Sequence, residues 1–261
     1  MENSDSNEND NKVDETMKII EKKNYISNIE DYNIKIINDD EDIEESKKEV
    51  IYKVIIIGDQ GVGKTSIIRN LTEKGKKTDK YYKATIGFDI FHYSAKVKDI
   101  IIKLQIWDTC GLEEFHSCTP NLYKNTLFAI VVYGINNKNS FENVDRWINL
   151  LKRNSQPEAL IFLVGNKNDL EKEREVSKDE GVKFVEDNNL NFFIETSAKE
   201  NQYVDDLFNQ GLAQLYELNK KNEINKENDE DEERIDFSKR KGSFRVEKEK
   251  KHTQKNNNNC C

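Results

Sequence analysis

The run Val50-Ile51-Tyr52-Lys53-Val54-Ile55-Ile56-Ile57 ends at a glycine, and that glycine opens Gly58-Asp59-Gln60-Gly61-Val62-Gly63-Lys64-Thr65. This junction constrains the chain more than any other feature. A near-continuous β-branched run suits a strand buried on both faces of a parallel sheet. The eight residues after it match G-x-x-x-x-G-K-[ST], and a helical pattern starts at Lys64. Strand, glycine-rich loop and helix in that order make a phosphate cradle. The glycines let backbone N–H groups turn inward around a triphosphate. Lys64 brings a point charge to the β- and γ-phosphates, and the Thr65 hydroxyl is placed to ligate Mg²⁺. A plain glycine turn needs neither the buried strand before it nor the helix after it.

The rest of the chain repeats the theme. Strand candidates are Phe88 to Val97, Ile100 to Trp107, Leu127 to Tyr133, Leu160 to Val164 and Asn191 to Glu195. Helical patterns cover Lys64 to Glu73, Ser140 to Arg153, Lys178 to Asn188 and Tyr203 to Leu218. Only Lys98-Asp99 separates the first two of these strands, which predicts a hairpin. The alternation elsewhere predicts an α/β fold: a six-stranded, mostly parallel sheet with helices on both faces and one antiparallel edge strand.

Composition sets the limits of that fold. Hydrophobic and charged residues each make up 35% of the 261, a low apolar share for a chain folded throughout. The polar residues gather at the ends. Residues 1–49 predict a disordered acidic extension, in which Met17 to Ile20 and Ile34 to Ile37 are apolar spots; the alternative for these is a short partner-binding segment. Residues 50–218 hold the folded domain, and 219–261 predict a flexible tail. A net charge of -9 argues against nucleic acid as a partner. The four cysteines have neither a disulfide framework nor zinc-finger spacing, which fits a reducing compartment. Met1 to Lys12 is too polar for a signal peptide, and no apolar run approaches the ~20 residues that span a bilayer.

Two further motifs carry chemistry. Ile106-Trp107-Asp108-Thr109-Cys110-Gly111 closes the strand after the hairpin. Asp108, at a strand's carboxyl end, is placed to hold Mg²⁺ through its outer shell, and Gly111 can bring an N–H close to the γ-phosphate. Asn166-Lys167-Asn168-Asp169 follows another strand. A carboxylate such as Asp169 can accept two N–H bonds from the edge of guanine, and a site built on such pairing rejects the wrong base by roughly 10⁴–10⁵.

Taken in order, these motifs resemble the Ras superfamily and, within it, the Rab family of small GTPases. The resemblance spans about Tyr52 to Leu218. It rests on the P-loop, Thr85 in Ala84-Thr85-Ile86-Gly87, the Trp107 to Gly111 segment, Asn166 to Asp169, and Ser197-Ala198-Lys199. Rab character lies in Ile86-Gly87-Phe88-Asp89, Lys103 to Trp107, Ser140 to Val144 with Trp147, and the terminal pair Cys260-Cys261. The resemblance implies GTP or GDP with Mg²⁺. Asp59, Gln60, Gly61, Val62, Gly63, Lys64, Thr65 and Ser66 would wrap the phosphates. Thr85 of switch I and Gly111 of switch II would close on the γ-phosphate, with Thr65, Thr85 and Asp108 around the metal. Asn166, Lys167, Asp169, Ser197, Ala198 and Lys199 would hold the base. Lys64, Thr85 and Gly111 would assist hydrolysis. Implied partners are effectors at the switches, an exchange factor, an activating protein, a GDP-dissociation inhibitor and the prenylation machinery. The implied location is the cytoplasmic face of an intracellular membrane, with a cytosolic pool and two lipids on Cys260 and Cys261. Two chains anchor stably where one does not, and Lys248, Lys250, Lys251 and Lys255 add charge attraction that Glu247 and Glu249 dilute.

Several residues depart from the family pattern. Leu112 stands where relatives carry the glutamine that orients the attacking water, and leucine has no group to do so. Gln60 occupies a position usually small. Both predict slow intrinsic hydrolysis, unless Gln60 itself positions the water. Switch I, Lys74 to Lys80, lacks the aromatic that stacks on guanine, which predicts faster nucleotide exchange. Cys110 replaces an alanine, either as a small core residue or as a redox-sensitive one. Glu114 reverses a usually basic charge. The function expected is a nucleotide switch in vesicle traffic; the alternative is a persistently GTP-loaded scaffold. Asn166 to Asp169 disfavours an ATP-using P-loop enzyme.

Overall fold

Each of the six apolar runs becomes a strand, and a seventh joins them. The computed structural model describes residues 26–37, 48–73, 85, 87–110 and 119–225. The readings placed on the leader before residue 26, on Lys74 to Lys80, on Gly111, Leu112 and Glu114, and on the tail with Cys260 and Cys261 lie outside these residues.

The strands are β1 (Lys35–Ile36), β2 (Lys48–Ile57), β3 (Phe88–Val97), β4 (Ile100–Thr109), β5 (Phe128–Gly134), β6 (Leu160–Asn166) and β7 (Phe192–Thr196). They form one sheet in the order β1-β3-β4-β2-β5-β6-β7. From β4 through β7 all pairings are parallel, as unbroken apolar strands require. β3 and β4 form the expected antiparallel hairpin, with Val97 opposite Ile100 across Lys98-Asp99. Two expectations are corrected here. The sheet has seven strands rather than six, and β3 is not its edge, because β1 pairs antiparallel to it. β1 comes from the segment read as a disordered leader, and two residues are too few for any alternation to signal a strand.

The helices are α1 (Lys64–Thr72), α2 (Thr119–Tyr123), α3 (Lys138–Glu142), α4 (Val144–Asn154) and α5 (Lys178–Asn188). A 3-10 turn covers Asn168–Glu173, and residues 204–225 are helical. The helix expected over Ser140 to Arg153 is divided at Asn143, which both ends α3 and precedes α4. α5 starts where a capping box predicts: Ser177 accepts from the Glu180 N–H while the Glu180 carboxylate accepts from the Ser177 N–H.

Strand alternation assigns the two faces of the sheet. Ile55, Ile57, Ala129, Val131, Tyr133, Ile161, Leu163 and Phe193 face Trp147, Ile148 and Leu151 of α4 and Val182 and Val185 of α5. Val54, Ile56, Ile130, Ile67, Ile68 and Leu71 are fully or nearly fully buried. Phe128, Phe162 and Phe192 form an aromatic row with centroids 4.8 and 5.0 Å apart. Each fully buried side chain of this size contributes about 1.5–3 kcal/mol of transfer free energy. That makes the strands a rigid frame from whose carboxyl ends the loops project.

The chain divides into two compact units, Met1–Leu215 and Tyr216–Cys261. The first holds the whole sheet. In the second the described residues are helical, with Lys220 and Glu223 paired one turn apart at 3.7 Å. Among the described residues no helix is long and apolar enough to cross a membrane.

Candidate functional site

β2, β4, β5 and β6 end on the same side of the sheet, and the loops that leave them meet there. This is where parallel α/β sheets place ligands. After β2 the chain turns through Gly58, Gly61 and Gly63, all at positive φ. Two of these glycines are required by space as well as by φ. A Cβ on Gly58 would lie 2.1 Å from the Val132 carbonyl oxygen, and one on Gly63 would lie 2.3 Å from Nδ2 of Asn166. Gly63 precedes α1 without a side chain to cap it, so the first-turn N–H groups stay available to an anion.

Lys64 is 6% exposed and bends back over the loop, donating to the Gly58 carbonyl at 2.8 Å and the Asp59 carbonyl at 2.9 Å. Burial lowers its pKa to about 8, against the opposing pull of Asp108 and Asp59. Asp59 is fixed in turn. Its Oδ2 accepts from Asn143 Nδ2 at 2.7 Å and its Oδ1 from Trp147 Nε1 at 2.9 Å. Sequence reasoning did not give these two residues a role at the site. Their signal was the Ser140 to Val144 signature with Trp147, which marked family and not contact. Gln60 and Gly61 are exposed, Val62 is buried, and Ser66 is half-buried in α1.

Three oxygens converge beside Lys64. Thr65 Oγ1 donates to Asp108 Oδ2 at 2.6 Å and lies 2.9 Å from Thr85 Oγ1, which is 3.3 Å from the same carboxylate oxygen. Asp108 is fully buried, and burial raises its pKa although the Thr65 bond and Lys64 oppose this. Its other oxygen, Oδ1, is buried and has no hydrogen-bond partner among the described residues. A carboxylate with an orphaned oxygen beside two hydroxyls is a hard-oxygen donor set, suited to a magnesium ion that keeps waters and phosphate oxygens in its remaining positions. Among the described residues no group of three or more His, Cys, Asp or Glu side chains could hold a different metal. Cys110 is half-buried with a free thiol, and its N–H donates to the Gly87 carbonyl at 3.0 Å.

The other end of the site is built on Asn166, 1% exposed. Its Nδ2 donates to the Val62 carbonyl at 2.8 Å, and its Oδ1 accepts from Thr196 Oγ1 and from the Ala198 N–H, both at 3.1 Å. One side chain thus ties the glycine loop to the segment after β7. Asn70 of α1 donates to the Ala198 carbonyl. Asp169 Oδ1 accepts from Ser197 Oγ at 2.6 Å, and Lys199 Nζ lies 3.5 Å from Asp169 Oδ2. Lys167 takes a left-handed conformation at φ 70 between Asn166 and Asn168. The structure therefore gathers every predicted site residue that it describes at one end of the sheet. A triphosphate at the glycine loop and a planar base at Asp169 can be held together there.

The comparisons with known proteins agree with this arrangement. A profile of the Ras family matches residues 53–217. The Ras-related protein RABA6b of Arabidopsis thaliana is 38% identical over 168 residues, covering 64% of this chain and 72% of that protein. The Ras-related protein Rab-11C of Dictyostelium discoideum is 39% identical over 175 residues, covering 67% and 77%. The Ras-related protein RABA1b of Arabidopsis thaliana is 36% identical over 180 residues, covering 69% and 82%.

Proposed function

The chain belongs to the Ras family as a Rab-type small GTPase, and from that premise we propose that it is a GTP switch of vesicle traffic whose intrinsic hydrolysis is slow. The observation that carries the switch reading is the meeting of Thr85 with Thr65 and Asp108. Thr85 lies outside the strands and α1, between α1 and β3, so its place beside Thr65 and Asp108 is a closure of that residue onto the phosphate end, which a switch can make and release. Effectors would read that closure.

In this reading the glycine loop and the first turn of α1 bind the phosphates through backbone N–H groups. Lys64 exchanges its two carbonyl partners for phosphate oxygens, which restores its full charge. Thr65 and Thr85 with Asp108 would hold Mg²⁺, which when bound neutralises charge building on the transferred phosphoryl group. Asp169 accepts from the guanine edge while Ser197 fixes its carboxylate. Asn166 keeps base and phosphate subsites at a constant spacing. Cys260 and Cys261 would carry the lipids that bring the switch to a membrane, and effectors, an exchange factor, an activating protein and a GDP-dissociation inhibitor complete the cycle.

Slow turnover follows from Leu112, which has no group to orient water. Gln60, exposed on the glycine loop, is the first candidate for that task. The second reading, a persistently GTP-loaded scaffold, is favoured by the same Leu112. Single-turnover phosphate release from the GTP-loaded chain, run beside Leu112→Gln, tests both. The expected gain in the variant is at least about tenfold, the equivalent of ~1.4 kcal/mol in the barrier. Equal rates in the two proteins would defeat the slow-hydrolysis reading. Competition by GTP and not by ATP tests the base subsite independently.

A further inference from the structure

Lys53 lies in β2 just before its buried end. A half-buried lysine usually lays its stem on apolar surface and sends its ammonium to water. Here protein takes up the ammonium on two sides. Nζ lies 4.3 Å from the centre of the Trp107 ring. It donates to the Lys124 carbonyl at 3.1 Å and to the Asn121 carbonyl at 3.5 Å. Both carbonyls belong to the end of α2, where a helix has acceptors and no donors of its own. Asn125, left-handed at φ 61, turns the chain away, and the Leu127 N–H then donates to the Lys53 carbonyl at 3.3 Å. One residue of β2 thus holds the end of α2 with its side chain and the return into β5 with its backbone.

The indole extends this arrangement across the sheet. Trp107 stands on β4 opposite Ile55 of β2 and Ile90 of β3. Its ring stacks on Phe88 with centroids 5.1 Å apart and planes at 22°. A cation over an indole face is attracted by the ring quadrupole, more strongly where water is excluded. Phe88, Trp107 and Lys53 therefore form a row that ends on the carbonyls of α2. Phe88 follows Thr85 by three residues, Trp107 precedes Asp108, and α2 follows the stretch of chain that carries Gly111 and Leu112. The near end of that stretch is fixed by the Cys110 N–H on the Gly87 carbonyl. Lys53 fixes the far end. A stretch tied at both ends has less freedom to lose when Gly111 meets a γ-phosphate, whereas GDP offers Gly111 no such oxygen. We propose that Lys53 is a positioning residue which, seated between the Trp107 ring and the end of α2, raises the affinity for guanine nucleotide with a γ-phosphate over that without one. This rests on the reading of the chain as a GTP switch.

The experiment compares the full chain with Lys53→Met, which keeps the stem and removes the ammonium, and with Lys53→Arg, which keeps a cation and its donors. Affinities for GDP and for a non-hydrolysable GTP analogue are measured with Mg²⁺. Lys53→Met should lower the analogue's affinity relative to GDP by about tenfold, while GDP binds as before. Lys53→Arg should restore most of the ratio. The chain has two tryptophans, so isotope-labelled tryptophan gives two indole N–H signals, and the one that persists in Trp147→Phe belongs to Trp107. That signal should move between the GDP and analogue forms of wild type and move much less in Lys53→Met. Slow amide exchange in β5 and β6 checks that each variant is folded. An unchanged ratio in Lys53→Met would overturn the proposal. So would an equal loss of both nucleotides, or a Lys53→Arg no better than Lys53→Met, since either makes Lys53 a structural residue only. Wild type that binds neither nucleotide would defeat the switch reading itself, and this inference with it.

Discussion

The two ends of the site are built on opposite principles. At the base end every functional group of Asn166 is already committed, to Val62, Thr196 and Ala198, and Asp169 is held by Ser197. At the phosphate end Lys64 rests on two backbone carbonyls, and Asp108 keeps one buried oxygen without a partner among the described residues. The base end is a preformed mould, in which Asn166 and Asp169 are already bonded before any ligand arrives. The phosphate end stores charges in provisional contacts that a ligand can take over. Selectivity belongs to the rigid end, and response to the state of the nucleotide belongs to the adaptable one.

The sharpest way to break this comparison is at Asp169. Asp169→Asn replaces an acceptor by a group that must also donate. GDP affinity should fall by about 10³-fold or more, since buried polar groups are left unpaired on both sides. Xanthosine diphosphate, which offers a carbonyl where guanine offers an amino group, should now bind better than GDP. Competition binding with the two nucleotides reads this directly. If the order of preference does not change, the base is not read at Asp169.

Asn166→Ala attacks the same end through its scaffold and should have the next largest effect. Three bonds from one buried side chain disappear, at a cost of roughly 2–3 kcal/mol. For a domain of this size that lowers Tm by about 5–10 °C, and GDP release should accelerate because the glycine loop loses its tie through Val62. A calorimetric scan and a fluorescent GDP analogue measure the two effects. A lower Tm with unchanged release would confine Asn166 to folding.

The phosphate end makes a different kind of prediction, because its lysine titrates. Burial holds Lys64 at about 8 before ligand binds, and phosphate oxygens would raise it again. The unfolded chain keeps this lysine protonated to higher pH, so the free protein binds fewer protons than the unfolded chain above pH 8, and its stability rises with pH in that window. Nucleotide reverses the balance. At about pH 8.5, GDP binding should take up roughly three quarters of a proton. Calorimetry in two buffers of different ionisation enthalpy measures that number directly. Binding with no proton uptake would mean that Lys64 stays charged in its carbonyl nest.

What the sequence made legible follows the same divide between pattern and encounter. Long elements announce themselves: β2, β3 and β5 carry seven to ten apolar-patterned residues, and Lys64 must follow a glycine loop to do its work. The bounds of α5, Lys178 to Asn188, were legible as well. Elements too short to have a period were not. β1 is two residues and α2 is five, and both exist because the domain offers them partners. The division of the predicted Ser140 to Arg153 helix at Asn143 had no breaker residue to mark it. Contacts across long separations were equally hidden. Asn143 and Trp147 lie 84 and 88 residues from Asp59, and no local pattern states that an indole N–H will meet that carboxylate.

That last contact gives the smallest and most discriminating test. Trp147 is 6% exposed, packed in the core beside Ile148 and Leu151. Trp147→Phe keeps an aromatic ring there and removes the donor to Asp59 Oδ1, while Asn143 still holds Oδ2. Asp59 is half-buried, so water can replace the lost partner in part. The loss should be about 1.5 kcal/mol, the worth of one bond to a charged acceptor. It falls on the glycine loop and not on Asn166 or Asp169. GDP should therefore dissociate about tenfold faster, while the preference for GTP over ATP stays as it was. Stopped-flow release and a competition assay on the same variant give both readings. A change in base preference would mean that the two ends are one mechanical unit. Unchanged release would mean that Asp59 is held well enough by Asn143 alone, and that the indole serves only the core.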